Sequence, residues 1–287
     1  MLDFKPSENL GQLLIIGSFL LLINSERGRA VWQEQVLARF SDAAVQAWGT
    51  FAVGFAITWT MYLIFFVIDL TGAPAFITST KVQPAVPVTL DMYKKALPRV
   101  LFNSLVTNAL LAYAGSFSPI QLKVSVQDFP TTLEFLRDIA VCGVVTEFGF
   151  YTAHYGFHHK SIYKYIHKIH HEFTAPMALV STYAHPLEHV LANVLPIAIG
   201  PFLMRSHILV AFCFTIMGIV NTACVHSGYL VPFFEPCLAH DYHHMKFNYC
   251  FGTSLGICDW MFGTTPSEAE LKQVYQSLKD KEKVKKN

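Results

Sequence analysis

From Trp48 to Val67 the chain reads WGTFAVGFAITWTMYLIFFV, with no charged residue and aromatic side chains near both ends. A run of this kind matches the length needed to cross hydrocarbon, about 20 apolar residues. Inside a bilayer no water satisfies backbone N–H and C=O groups, so the segment has to close its hydrogen bonds on itself, as a helix does. Trp and Tyr at its ends suit the membrane–water interfaces. Only 14% of the 287 residues are charged, against about 25% in soluble domains, so this span is not an isolated oddity.

Other apolar runs accompany it. Leu10–Ile23 is uncharged but short, and a signal peptide is the rival reading. Its flank offers only Lys5 against Asp3 and Glu8, with no small-residue cleavage site after it, so a retained anchor is expected. Further spans are expected over Val100–Phe117 and from Ile139 towards His154, the latter interrupted by Glu147. Val190–Met204, broken by Pro196, Gly200 and Pro201, and Ile208–Val225 read as half-length or re-entrant helices, or as spans that pack as a pair. Arg27, Arg29 and Arg39 in one connection, and Lys81, Lys94, Lys95 and Arg99 in the next, give weak orientation evidence. The expected fold is all-α, a polytopic membrane protein with about four transmembrane helices. Its six cysteines include no CxxC pair and read as packing thiols. A net charge of +1 and the absence of any nucleic-acid motif argue against a nucleic-acid partner.

All 13 histidines lie between His154 and His244. They form three groups: His154-x3-His158-His159, His167-x2-His170-His171 and His240-x2-His243-His244, with His185, His189 and His226 nearby. Helical residues three and four apart share a face, so each group is expected to present a single stripe of imidazoles, a ligand suited to iron, zinc or copper. So many imidazoles exceed one tetrahedral site and favour two metals. A pH-sensing cluster would not need the repeated spacing. Carboxylates near the groups are Glu147, Glu172, Glu188, Asp241 and Asp259; Asp241 and Glu188 are candidates to accept the second N–H of metal-bound histidines. His171-Glu172 is no zincin motif, because residue 175 is alanine. His185-x-x-Glu188-His189 does fit the inverted zincin pattern, which would make an intramembrane zinc protease with Glu188 as general base while leaving the other groups idle.

The stretches HYGFHHKSIYKYIHKIHHEFTAP, YAHPLEH, HSGY, HDYHHMKFN and DWMFGT resemble the fatty acid hydroxylase superfamily, in its sterol desaturase and C4-methyl sterol oxidase branch. The resemblance covers roughly residues 140 to 264. It implies a membrane non-haem di-iron oxygenase of the endoplasmic reticulum, its histidine-rich helical cap and C-terminus in the cytosol. Zinc loaded during expression is the rival occupant of the iron sites. The implied ligands are His154, His158, His167, His170, His171, His240, His243 and His244, with His226 and His185 less firmly matched. His159 and His189 are implied as further ligands or supports, and Tyr183, Tyr229 and Tyr242 as substrate-lining. The resemblance implies O2 as oxidant, a sterol or acyl lipid as substrate, and electrons from NAD(P)H through cytochrome b5 and its reductase. C4-methyl sterol oxidases often carry a histidine where Phe150 stands, and their connection from HSGY to HDYHH is longer. A non-catalytic metal-binding scaffold is the remaining alternative. The division expected is 1–136 for membrane-anchoring helices, 137–264 for the catalytic region and 265–287 for a charged tail. That tail opens on a Ser267/Glu270 capping box, and Lys283 and Lys285 fit a dilysine retrieval signal.

Overall fold

The computed structural model describes residues 6–286, and it is helical, with no strand among the described residues. Asp3 and Lys5, on which the retained-anchor expectation leaned, lie outside the described residues, as do the side chains of Lys283 and Lys285.

The chain opens with α1 (Leu10–Asn24) and α2 (Glu26–Val31). Ser25 sits between them in extended backbone and caps α2 by accepting the Gly28 N–H at 2.9 Å. The two helices are bent by 81° and together are apolar enough to count as one broken span. α3 (Asp42–Thr71) contains the charge-free run; Ser41 caps its start, and Gly72 ends it in the left-handed region at φ 67°. After the short α4 (Ala75–Thr78) come α5 (Leu90–Leu101), a π-helical stretch Phe102–Thr107 and α6 (Asn108–Gly115). Pro98 lacks an N–H within α5, one turn before the π-helical stretch opens. α7 (Thr132–Phe157) starts at a capping box, with Glu134 N–H donating to Thr131 Oγ1 and Thr131 N–H donating to Glu134 Oε2.

The second half runs through α8 (Pro186–Glu188), a π-helical stretch His189–Val194 and α9 (Leu195–Met204), then α10 (Ile208–His226). α11 (Leu238–Lys246), α12 (Ile257–Met261) and the tail helix α13 (Glu268–Lys286) complete the chain. The Ser267/Glu270 capping box forms as expected, at 2.9 and 3.2 Å.

Among the described residues three stretches are long and apolar enough to cross a membrane, Asp42–Thr71, Pro186–Met204 and Ile208–His226, or up to four counting the bent pair. The total agrees with the sequence, but its assignment changes. Val100–Phe117 is not one of them; its helical path carries Asn103, Ser104, Thr107 and Asn108 among the apolar residues. Ile139–His154 lies within α7, which carries Glu134, Arg137, Asp138 and Glu147. Of the alternatives open for Val190–Met204 and Ile208–Val225, the paired spans are the one found, since Pro196 falls at the start of α9 and does not end the helical path.

α7 packs chiefly on α9, and α10 on α3. A Cβ on Gly200 would stand 2.8 Å from the Cα and Sγ of Cys142, so only glycine lets α9 approach α7 this closely. All six cysteines are single thiols, five of them buried. Large apolar side chains such as Leu63, Ile64, Val67 and Leu203 remain exposed on the spans, as a lipid-facing surface requires.

Candidate metal centre

The three histidine groups converge, but not group by group. The Nδ1 or Nε2 atoms of His154, His158, His167, His171 and His243 lie within 4.8 Å of one another and form cage A. Those of His170, His226, His240 and His244 do the same and form cage B. On α7 and α11 the pairs His154/His158 and His240/His244 obey the four-residue helical spacing, each pair serving one cage. His243 leaves the α11 pair for cage A. The middle group departs further from a single stripe, because His167–Glu172 is a 3-10 helix. His167 and His170 lie one turn apart with nearly parallel rings 5.5 Å between centroids. They therefore serve neighbouring cages, while His171 joins His167 in cage A. The cages adjoin, the rings of His171 and His244 standing 4.8 Å apart.

The tautomers of six of the nine cage rings are fixed from outside. His154 donates its Nδ1–H to the Phe251 carbonyl at 2.9 Å, His243 to Tyr249 at 2.6 Å, and His244 to Phe173 at 3.1 Å. His226 donates to Thr222 at 2.8 Å and His170 to Tyr183 at 3.4 Å, while His167 donates to Glu188 Oε1 at 2.6 Å. A neutral imidazole that donates from Nδ1 keeps a bare lone pair on Nε2. Those Nε2 atoms point into the cages, where they meet the Nε2 atoms of His158, His171 and His240. His171 approaches His167 at 2.9 Å, His243 at 3.2 Å and His158 at 3.3 Å. His240 approaches His226 at 2.8 Å and His244 at 3.1 Å, and His226 lies 3.4 Å from His170. His226 and His170 both donate from Nδ1, so their facing Nε2 lone pairs cannot hydrogen-bond to each other, and the converging imidazoles of the two cages suit a cation. With a metal–nitrogen distance of about 2.1 Å, ligands at right angles stand about 3.0 Å apart and tetrahedral ligands about 3.4 Å. The observed separations fit that range, and the donor set suits a transition metal such as iron or zinc.

Burial favours the neutral, ligating form. It pulls the pKa of His170 down to about 4, and those of His167, His171, His240, His243 and His244 lower than the ordinary histidine range.

The carbonyl acceptors are held as firmly as the rings. Phe247 and Cys250 take left-handed backbone, φ 68° and 57°, and the loop between them turns the Tyr249 carbonyl towards His243. Glu147 on α7, fully buried, accepts the Thr253 and Cys258 N–H groups at 2.9 and 2.8 Å. Asp259 accepts the N–H groups of Phe251 and Gly252 at 2.9 and 2.8 Å. Any Cβ on Gly252 would lie 2.8 Å from Asp259 Oδ2 and 3.0 Å from Glu147 Oε1. The two carboxylates thus close around a glycine and aim the Phe251 carbonyl at His154.

The remaining sequence candidates fall outside the cages. His185 caps α8, its Nδ1 accepting the Leu187 N–H at 3.2 Å. His189 donates Nε2–H to Asn108 Oδ1 at 2.9 Å and accepts from Asn193 on Nδ1 at 3.4 Å, so both its nitrogens are occupied. His159 is exposed and pairs with Ser161. The inverted zincin pattern brings no metal-sized group together among the described residues, and its Glu188 serves His167 instead. Asp241 accepts from Gln83 at 3.0 and 3.1 Å and binds no cage imidazole. Tyr183 donates to Glu172 at 2.9 Å, Tyr229 to Asp69 at 2.7 Å, and Tyr242 is buried with its ring 5.9 Å from that of Tyr249. Tyr183 borders a cavity of about 420 Å³ lined also by Lys95, Pro98, Arg99, Phe102 and Pro186. Phe150 stands at the edge of cage A, its ring 5.0 Å from that of His154. Gln83 and the backbone carbonyls were invisible in the sequence, since every residue offers a carbonyl and nothing local marks the one that a histidine will meet.

Residues 139–264 match the fatty acid hydroxylase family. The chain is 39% identical to fatty acid hydroxylase ahd1 of Mycosarcoma maydis over 203 residues, 70% of this chain and 53% of that protein. It is 36% identical to fatty acid hydroxylase domain-containing protein 2 of Homo sapiens over 212 residues, 72% of this chain and 62% of that one. Methylsterol monooxygenase 1 of Danio rerio is 28% identical over 240 residues, 80% of this chain and 81% of its own length. The chain thus spans between about half and two thirds of the length of the first two relatives. No solved structure matches it. Both cages are built within the matched stretch, and residues 139–264 form a fatty acid hydroxylase family domain.

Proposed function

We propose that the chain is a membrane oxygenase holding two iron ions, one in each cage, and oxidising an unactivated C–H bond of a lipid. The observation that carries this reading is the pair of adjoining imidazole cages whose Nε2 atoms face one another at 2.8–3.4 Å. Its ligands are the five histidines of cage A and the four of cage B. Iron bound there supplies the reduction of O2 and the attack on the C–H bond.

The protein's own part is to bind, orient and keep dry. His243 and His244 are fully buried, so bulk water is kept from the ligand nitrogens. Glu188 and the five carbonyls hold the tautomers and orientations of six of the nine rings, a support that metal-bound histidines generally require. The cavity beside Tyr183 lies one residue's backbone from cage B, because the Tyr183 carbonyl receives the His170 N–H. Lys95 and Arg99 on its rim, above Pro98 and Phe102, suit a lipid arriving from the bilayer with its polar end at the interface. Reducing equivalents come from outside the site, through cytochrome b5 and an NAD(P)H reductase. The setting is the endoplasmic reticulum membrane, with the cages facing the cytosol.

A C4-methyl sterol is the leading substrate, supported by likeness to a methylsterol monooxygenase over four fifths of both chains. Fatty acyl or sphingolipid hydroxylation stands next, supported by the fatty acid hydroxylase relatives and by Phe150 in place of a histidine. The test compares sterol and sphingolipid profiles of cells with and without the protein. Accumulated C4-methyl sterols in its absence support the leading reading; unchanged sterols with altered 2-hydroxylated lipids replace it with the second.

A further inference from the structure

Residues 80–83 lie outside the family-matched stretch, yet they run directly across the supports of one cage. Thr80 Oγ1 accepts the Leu230 N–H at 3.0 Å, and Val82 donates its N–H to the Gly228 carbonyl at 2.9 Å. The Lys81 ammonium lies over the Tyr229 ring, 4.6 Å from its centroid. Gln83, only 8% exposed, donates from Nε2 to the Thr174 carbonyl at 2.8 Å and to both oxygens of Asp241 at 3.0 and 3.1 Å. From beneath, Asp69 on α3 accepts hydroxyls from Tyr229 and Tyr93, each at 2.7 Å.

Each contact falls next to a cage-B ligand or its anchor. Gly228–Leu230 follow His226, Asp241 follows His240, and Thr174 follows Phe173, whose carbonyl holds His244. Three of the four cage-B histidines therefore depend on segments that residues 80–83 tie together. The anchors of cage A are held from elsewhere. Phe251 is fixed through Asp259 and Glu147, Tyr249 sits in the 247–250 turn, and Glu188 belongs to α8.

We infer that residues 80–83 are a strap that positions cage B selectively, so that the amino-terminal half of the chain sets the affinity of one metal of the pair. Gln83 is its main positioning residue, because one amide joins the backbone after the second histidine group to the carboxylate inside the third. This rests on the two-metal reading above.

The test measures metal per chain in purified full-length protein, reconstituted with ferrous iron, for wild type, Gln83→Leu and Thr80→Val. Both substitutions retain bulk and remove the polar contact. The strap predicts a fall from two ions per chain towards one in Gln83→Leu, and at least a tenfold weaker second binding step in both variants. The dinuclear spectroscopic signature should give way to a mononuclear one. Iron retained in cage A reports that the same sample is folded. Combining Gln83→Leu with His171→Ala/His243→Ala should remove the remaining iron, which identifies cage A as the holder. Two ions bound as tightly as in wild type would overturn the strap, as would loss of both ions together. Wild type that binds no metal pair would instead overturn the two-metal reading, a distinguishable failure.

Discussion

Glu147→Gln is the substitution whose consequence follows most closely from the geometry. The wild-type carboxylate presents acceptors on both oxygens, Oε1 to the Cys258 N–H at 2.8 Å and Oε2 to the Thr253 N–H at 2.9 Å, in a fully buried setting. Glutamine keeps the shape but turns one oxygen into an NH2 group, which then opposes a backbone N–H. One buried donor loses its partner, costing about 1–3 kcal/mol, and the surviving bond loses its charge assistance, about 1 kcal/mol more. The sum is about 2–4 kcal/mol, or roughly 4–10 °C in melting temperature for a chain of this size. The loss also has a place: the loop that carries Phe251 relaxes, and the acceptor of His154 moves away from cage A. Thermal unfolding in lipid nanodiscs, read beside iron content, checks both parts. A melting temperature within a degree of wild type, with full iron, would refute the argument that Glu147 holds this loop.

His243→Ala removes a cage-A ligand and His170→Ala a cage-B ligand; each should abolish turnover and lower bound metal while the protein still inserts into membranes, as activity and metal assays on the same preparations would show. Gly252→Ala forces a methyl against Asp259 and Glu147 and should destabilise by about 1–3 kcal/mol, measured as a drop in melting temperature that Gly17→Ala, with open space around it, does not share. The metal-free protein should weaken on acidification. His170 titrates near 6.5 when unfolded and near 4 when folded, so the unfolded chain takes up the proton first, and stability present above pH 6.5 is lost as pH falls towards 4. That single group contributes about 3 kcal/mol to the loss, measurable as melting temperature against pH in apo protein.

The sequence showed the ligand types and their spacing, because histidine restricted to one window and repeated at helical intervals has few other uses. It could not show the partition into cages. That depends on a 3-10 helix at His167–Glu172, where a short turn places adjacent imidazoles on opposite sides of a boundary. His226, a lone histidine in the sequence, becomes a full member of cage B because α10 ends there and Thr222 orients its ring. His185 and His189 look equally promising on paper, yet His185 caps α8 through Nδ1 and two asparagines occupy both nitrogens of His189. The span count was legible from apolar runs, but which run spans was not. Pro196 falls where a proline is harmless, at the start of α9, so the path Pro186–Met204 stays helical, whereas Asn103, Ser104 and Asn108 dilute the run after Pro98. Glu147, which interrupts an apolar run, reads as a defect in a span and proves to be the clamp for the loop over cage A.

The central claim is settled most directly by isotopically labelled O2. Purified, iron-loaded protein in nanodiscs, given reductant, cytochrome b5 and a lipid extract, should place oxygen from labelled O2, and none from labelled water, into a lipid product. Incorporation should vanish in His243→Ala and His170→Ala. Label entering the product from water, or lipid turnover that proceeds without O2, would contradict the oxygenase account.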